Sequence, residues 1–269
     1  MRLITYFLIL VLLIAGKTAK AQDSLIISND IYRFADGVAY TYTQPLRWKQ
    51  KNWITLAGLL AGTALVTLAD KPVQDFFDGA EGKFYERIER IGFHYGKPYS
   101  AFTFTGTFYI GGLILNNRWA KDTGIGLGAT LLTSGLLQTF LKDAVGRARP
   151  GTDVGAYRFK PFSQDVGYHS FPSGHMSVAF GISLVMAKRI TYIPVKIFFY
   201  SLAASTAISR LYSDAHWISD IAFGGAIAWF CGETALRRLS VNTSRPRRNN
   251  SVSWHVTPYP GGLSLTCKL

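Results

Sequence analysis

The chain has 269 residues, 48% of them hydrophobic and only 17% charged, with a net charge of +13 and two cysteines. That length accommodates one or two domains, the charged fraction is well below the roughly 25% of a soluble domain, and two cysteines make no disulfide framework and show no metal-ligand spacing. The positive charge suits an anionic lipid surface or a phosphorylated substrate; no basic run is interleaved with stacking aromatics, so nucleic acid is not an expected partner.

Arg2 is followed by an apolar run from Leu3 to Ala15 and then by Ala19-Lys20-Ala21, an A-x-A-like cleavage site. Residues 1–21 therefore read as a signal peptide, or as an N-terminal anchor if uncleaved. The apolar run is too short to span a bilayer comfortably. Residues 22–51 are mixed and polar and end in Arg47, Lys49 and Lys51.

Six apolar blocks follow: Trp53–Ala69, Tyr99–Leu115, Thr123–Leu141, Phe171–Ala187, Ile193–Ser209 and Trp217–Leu236. Each is about long enough to cross a bilayer as a helix. Small residues recur in them (Gly124, Gly126, Gly128, Gly224, Gly225), as in closely packed membrane helices. The expected fold is all-α: a bundle of about six membrane-spanning helices over residues 52–240, the alternative being a soluble bundle with a very apolar core. Asp70–Pro98 is rich in charge and Lys142–Ser170 in glycine and cations. Residues 241–269 form a basic linker and tail, and Ser251–Leu269 reads as strand, turn and strand around Pro258–Gly262, a short β-hairpin-like end.

Three stretches carry chemistry. In Lys142-Asp-Ala-Val-Gly-Arg-Ala-Arg149-Pro150 two cations stand seven residues apart, which a helix would put on one face, and Pro150 favours a break. In Pro172-Ser173-Gly174-His175, immediately before an apolar helix, the serine–glycine pair offers backbone N–H groups and a positive dipole end to an anion. In Ser209–Asp220, Arg210 supplies a fork of donors suited to phosphate. His216 and Asp220, four apart, share a helical face, where the carboxylate can fix the imidazole tautomer and stabilise positive charge on the ring. Together these are three cations, a helix N-terminus and two histidines, one beside a carboxylate: a set able to neutralise a phosphate, attack its phosphorus and protonate the leaving oxygen. No Asp/Glu cluster offers itself to magnesium or calcium, and no cofactor is expected.

The pattern KxxxxxxRP, then PSGH, then SRxxxxxHxxxD resembles that of the type 2 phosphatidic acid phosphatase and vanadium haloperoxidase superfamily, membrane lipid phosphatase branch, with every motif position matched over roughly residues 52–240. The resemblance implies a helical bundle and metal-independent hydrolysis of a phosphomonoester or diphosphate through a phosphohistidine. It implies His216 as nucleophile, Asp220 as its partner and His175 as general acid, with Lys142, Arg149, Ser173, Gly174 and Arg210 binding phosphate. Asp143 and Arg147, off the motif positions, read as solvated or structural. His169 is a secondary candidate for substrate contact. Tyr157, Arg158 and Lys160 could meet a head group, whereas His94, His255 and Asp214 have no assigned role.

The expected substrate is a lipid phosphate or polyprenyl diphosphate (phosphatidic acid, phosphatidylglycerol phosphate, undecaprenyl diphosphate or lipid A phosphate), whose tail can stay among membrane lipids. A soluble secreted acid phosphatase and a vanadate-dependent haloperoxidase are the alternatives. Basic clusters at Arg47–Lys51, Arg118–Lys121, Lys188–Arg189 and after Leu236 face the cytoplasm by the positive-inside rule. The site is therefore expected in a bacterial inner membrane, facing the periplasm. A cleaved signal peptide followed by six crossings would place it on the other side; the loop charges agree at several clusters and carry the expectation.

Overall fold

The computed structural model describes residues 27–244, 253–259 and 262–268; the expected signal segment lies outside the described residues. The chain divides into two compact units between Leu239 and Ser240. In the second, Ser253–Tyr259 (β1) and Gly262–Lys268 (β2) pair antiparallel, from Ser253 opposite Lys268 to Tyr259 opposite Gly262.

The rest of the described chain is helical: α1 (Ile27–Thr43), α2 (Gln50–Val66), α3 (Asp70–Asp78), α4 (Lys83–Tyr95), α5 (Pro98–Ile114), α6 (Arg118–Val145), α7 (Gly174–Arg189), α8 (Ile193–Tyr212) and α9 (Ile218–Ser244). A helix stands on each of the six apolar blocks. Local signals set the starts: Asn117 caps α6 by accepting from Ala120 N at 3.1 Å, and prolines sit in the first turns of α5 and α8, where a missing N–H costs nothing.

The expectation of about six spanning helices is met only in part. Two helical stretches are long and apolar enough to cross a bilayer among the described residues, Gln50–Asp78 and Arg118–Val145. The helices on the second and fourth blocks have 17 and 16 residues, about 25 Å at 1.5 Å per residue, against a hydrocarbon core of about 30 Å. Lys196, Arg210 and the hydroxyls of Ser201, Ser205, Thr206 and Ser209 dilute α8. The Gln50–Asp78 stretch turns apolar side chains outward, with Trp53, Ile54, Leu65 and Leu68 exposed.

Residues 22–51 carry more structure than their polar composition suggests. The helix α1 packs on α6, and its charges are tied inward: Arg33 Nη1 to Asp122 Oδ1 at 2.7 Å and Asp30 Oδ2 to Lys121 Nζ at 3.0 Å. Tyr42 donates to Thr133 O at 2.9 Å.

The core joins α4 to α8 through Tyr95, Phe104, Phe108, Leu127, Ile182, Met186 and Phe199. Burying one such ring or branched chain contributes about 1.5–3 kcal/mol relative to exposure in water. Two of its buried hydroxyls pair with each other: Ser183 Oγ meets Tyr95 OH at 3.0 Å and donates to Phe199 O at 2.6 Å. Short connections join α7 to α8 and α8 to α9, so these neighbours run antiparallel. The C-terminal ends of α6 and α8 and the N-terminal ends of α7 and α9 then share one end of the bundle, and Arg118–Lys121 and Lys188–Arg189 lie at the other.

Candidate active site

The helix α6 stops one turn after Lys142 because Gly146 is left-handed (φ +57°) and packs where a Cβ would lie 2.0 Å from Lys160 O. Arg149 therefore does not share a helical face with Lys142, as the seven-residue spacing suggested. The two meet through the loop instead. Lys142 Nζ donates to His169 O at 2.8 Å and Arg149 Nη2 points at the same carbonyl at 3.5 Å. Arg149 N donates to Gly167 O at 2.8 Å, and Pro150 opens a short 3-10 turn whose Gly151 N donates to Asp214 O at 3.1 Å.

Ser173 is the N-cap of α7, its Oγ accepting from Met176 N at 3.4 Å. The cap uses an oxygen lone pair and leaves the hydroxyl proton to donate. The Ser173–Gly174 turn lies directly on α9: Ser173 N donates to Asp220 O at 3.0 Å, and a Cβ on Gly224 would fall 2.5 Å from Ser173 O. Only glycine at 224 allows that approach. His175, on the first turn of α7, stacks on Phe93 with ring centroids 5.6 Å apart at 22°, and its Nε2 is buried with no protein partner.

Arg210, on the last turn of α8, lies over the same Phe93 ring, with its guanidinium 4.8 Å from the centroid. It is less available than its motif position suggests: Nη2 donates to Glu89 Oε1 at 3.1 Å and to Ser209 Oγ at 2.8 Å, while Nε has no partner. Lys97 Nζ stands 4.1 Å from the same Phe93 ring.

His216 sits in the 213–217 connection between α8 and α9, with Asp220 on the first turn of α9. Nδ1 lies 3.8 Å from Asp220 Oδ2, beyond hydrogen-bonding reach, and has no other partner. The direct N–H···carboxylate bond expected from the i,i+4 spacing is thus not made. Asp220 is held from elsewhere: Oδ1 accepts from Arg147 Nη1 at 2.6 Å, and Oδ2 from Ser170 Oγ and from Trp217 N at 2.9 Å. Burial pushes the His216 imidazole down to about 4, with Lys142 and Arg149 acting the same way and the Asp220 carboxylate opposing them. The ring is a neutral base at ordinary pH.

These groups meet at a cavity of about 670 Å³. Lys142, Arg149, His169, Gly174, His175 and His216 line its polar end; Ala101, Phe102, Gly128, Leu131, Leu132 and Leu136 line the rest. Of the residues expected to bind phosphate, Lys142, Arg149 and Gly174 reach the wall, whereas Ser173 and Arg210 stand behind it. His169 also lines the cavity, with its ring held 2.8 Å from Ser163 O. Tyr157 donates to Thr67 O, Lys160 lies over Tyr168, and His94 meets Tyr99; none of the three lines the cavity. Asp143 is half-exposed. Among the described residues no three His, Cys, Asp or Glu side chains are grouped to hold a metal ion.

The sequence did not point to Arg147, Asp70, Ser170, Glu89 or Phe93, nor to Gln138, which also lines the cavity. Arg147 read as solvated or structural and is 3% exposed, bonded to both Asp70 and Asp220. Its place inside the first motif, between two cations, was the available signal. Asp70 and Glu89 lie in the charged stretch before α5, where nothing local marks them.

The family model of the PAP2 superfamily matches residues 123–243. A lipid A 1-phosphatase of Rhizobium etli is 38% identical over 119 residues, covering 42% of this chain and 49% of that protein. A lipid A 1-phosphatase of Porphyromonas gingivalis is 24% identical over 245 residues, 85% of this chain and 49% of that protein. The chain spans about half the length of the curated relatives it matches. Among solved structures, the transmembrane PAP2-type phosphatidylglycerolphosphate phosphatase of Bacillus subtilis superposes with a TM-score of 0.52 at 19% identity, covering 72% of this chain and 98% of that one; at that identity the likeness is one of fold.

Proposed function

We propose, from the match of residues 123–243 to the PAP2 superfamily model, that the protein is a membrane-embedded lipid phosphatase that removes phosphate from a lipid phosphate or polyprenyl diphosphate. The observation that carries this reading is the single cavity on which Lys142, Arg149, His175 and His216 face a wall of apolar side chains. A phosphorylated head group and the first part of its tail fit such a cleft together, and the outward apolar side of Gln50–Asp78 suits a bilayer better than water.

The phosphate oxygens bind Lys142, Arg149 and the Gly174 N–H at the start of α7, with Ser173 capping that turn and Arg210 adding positive charge from behind. His216 Nε2, the ring nitrogen away from Asp220, forms a bond to phosphorus as the bond to the leaving oxygen breaks. The dianionic substrate favours the imidazolium of His175, which gives its proton to the leaving oxygen. Asp220 stabilises the charge on the phosphorylated ring. Water, losing a proton to the now neutral His175, then displaces His216 and releases phosphate. No step calls on a metal ion.

The names of the curated relatives make a lipid A 1-phosphate the first substrate to try. With the catalytic end opposite the basic ends at Arg118–Lys121 and Lys188–Arg189, the positive-inside rule puts the site on the periplasmic side of an inner membrane. The test is a substrate panel on the purified protein in detergent with a chelator present: lipid A 1-phosphate, phosphatidic acid, phosphatidylglycerol phosphate and undecaprenyl diphosphate against glycerol phosphate. A kcat/KM higher by at least tenfold on one of the lipids supports the reading; equal rates on lipid and glycerol phosphates sink it in favour of a non-specific phosphatase.

A further inference from the structure

Behind Asp220 lies a buried polar group that the steps above leave unused. Arg147 reaches in two directions at once: Nη1 donates to Asp220 Oδ1 at 2.6 Å and Nη2 to Asp70 Oδ2 at 2.6 Å. Its Nε donates to Ala156 O at 2.9 Å and Nη1 also to Ser219 Oγ at 2.7 Å, so all three of its nitrogens are engaged. Asp70, brought by the start of α3, accepts in addition from Ser219 N at 3.0 Å and Ser219 Oγ at 2.8 Å. Asp70 is 1% exposed and Asp220 0%.

Two carboxylates share one guanidinium here, so the group keeps one net negative charge next to His216. Left free, a carboxylate four residues from an imidazole would turn to accept its N–H. In this structure Arg147 takes Oδ1, while Ser170 and Trp217 N take Oδ2, and the ring nitrogen stands off at 3.8 Å. Resting on the reading of His216 as nucleophile, we propose that Arg147, anchored by Asp70, is a positioning residue that fixes Asp220 beneath His216 and shares its charge. The resting ring is then attracted without being tightly bonded, and the negative charge is in place when the ring becomes positive on phosphorylation. Asp70 makes the arrangement directional, because it holds the guanidinium and the first turn of α9 in one frame. A lysine, with one compact ammonium, cannot bridge two carboxylates in this way.

The experiment compares full-length wild type, Arg147→Lys, Asp70→Asn and His216→Ala in detergent. It measures kcat and KM on the best lipid substrate and on para-nitrophenyl phosphate, with thermal unfolding alongside. The expected result is a kcat lower by about 10²-fold for Arg147→Lys, the order that a misplacement of about 1 Å costs, with a smaller loss for Asp70→Asn. KM should stay within about twofold, and the losses should be equal on both substrates because the nucleophile serves both. A bridge that only held the fold would lower the unfolding temperature and leave kcat unchanged; that outcome, or a rise in KM alone, overturns the proposal. Should Arg147→Lys not fold, Asp70→Asn decides by the same criterion. If His216→Ala matches wild type, the proposal falls with its premise. If His216→Ala is inactive while Arg147→Lys and Asp70→Asn keep wild-type kcat, the premise stands and this inference alone is lost.

Discussion

Replacing His175 by alanine separates leaving-group protonation from attack. The structure makes this a small perturbation of the fold: the ring stacks on Phe93, a contact worth about 0.5–1.5 kcal/mol, and its Nε2 bonds to no protein group. The catalytic loss is larger. General acid catalysis is typically worth about 10²–10⁴-fold, which is roughly 3–5 kcal/mol of barrier. An alkyl or sugar alkoxide leaves poorly without a proton, whereas para-nitrophenolate leaves well unaided. The variant should therefore form the phosphoenzyme about 10²–10⁴-fold more slowly from a lipid phosphate and under tenfold more slowly from para-nitrophenyl phosphate, where one equivalent of nitrophenol should appear in a burst before the slower hydrolysis of the phosphohistidine, the step in which His175 serves as base. His216→Ala should be inactive on both, and Asp220→Asn intermediate on both. Initial rates with the two substrates, on variants whose unfolding temperature is within a few degrees of wild type, make the comparison. If His216→Ala keeps activity while His175→Ala is dead on both substrates, the two roles are reversed.

Burial holds His216 neutral down to about 4, so its ring resonances, followed by NMR, should titrate near pH 4; a midpoint near 6.5 would contradict the buried site. The sign for stability follows: the unfolded chain takes the proton first, so stability is full above about pH 6.5 and falls as pH drops towards 4, by on the order of 3 kcal/mol. Gly135 lines the cavity with open space where a Cβ would stand. Gly135→Phe should fill it without strain, displacing about four methylenes of lipid at about 0.8 kcal/mol each. It should lower kcat/KM on a long-chain lipid by about 10²-fold and leave para-nitrophenyl phosphate within twofold; equal loss on both would remove the tail from the cavity. Turnover should survive excess chelator and be inhibited competitively by vanadate, whose five-coordinate form mimics the transition state; activity lost in chelator and restored by magnesium would end the metal-free mechanism.

What the sequence made legible follows from the range of the interactions involved. Continuous apolar runs become helices because every residue contributes the same local preference and the same burial, so the six blocks were readable one by one. Motif residues were readable because their spacing survives in the fold: His175 does open α7, and His216 and Asp220 do flank the start of α9. The failures are non-local or stereochemical. The helix α1 hides behind charges whose partners, Asp122 and Lys121, lie about ninety residues away. The Asp70–Arg147 pair spans 77 residues. The shared helical face of Lys142 and Arg149 was undone by one left-handed glycine, and their meeting depends on the carbonyl of His169, a backbone group that no residue type announces. The missing His216–Asp220 hydrogen bond has the same origin: spacing brought the partners together, but competing donors from Arg147 and Ser170, distant in sequence, claimed the carboxylate.

The partners of the buried cations divide them into two kinds. Arg147 is matched by Asp70 and Asp220, and Arg210 by Glu89. Lys142 and Arg149, which line the cavity, have a neutral carbonyl as their shared partner and no ion pair among the described residues. A buried charge without a counter-charge is costly, and here the cost falls on the two groups a phosphate would touch. A dianion entering the cavity supplies both missing counter-charges at once, while the matched arginines gain little. On the proposed reading, charge pairing separates the cations suited to bind phosphate from those already committed to a carboxylate, which motif membership does not: Arg210, a motif residue, already has its carboxylate. Charge removal at Lys142 should consequently weaken substrate binding more than the same change at Arg210, whose loss would take from the half-buried Glu89 its ion pair and be felt mainly in stability.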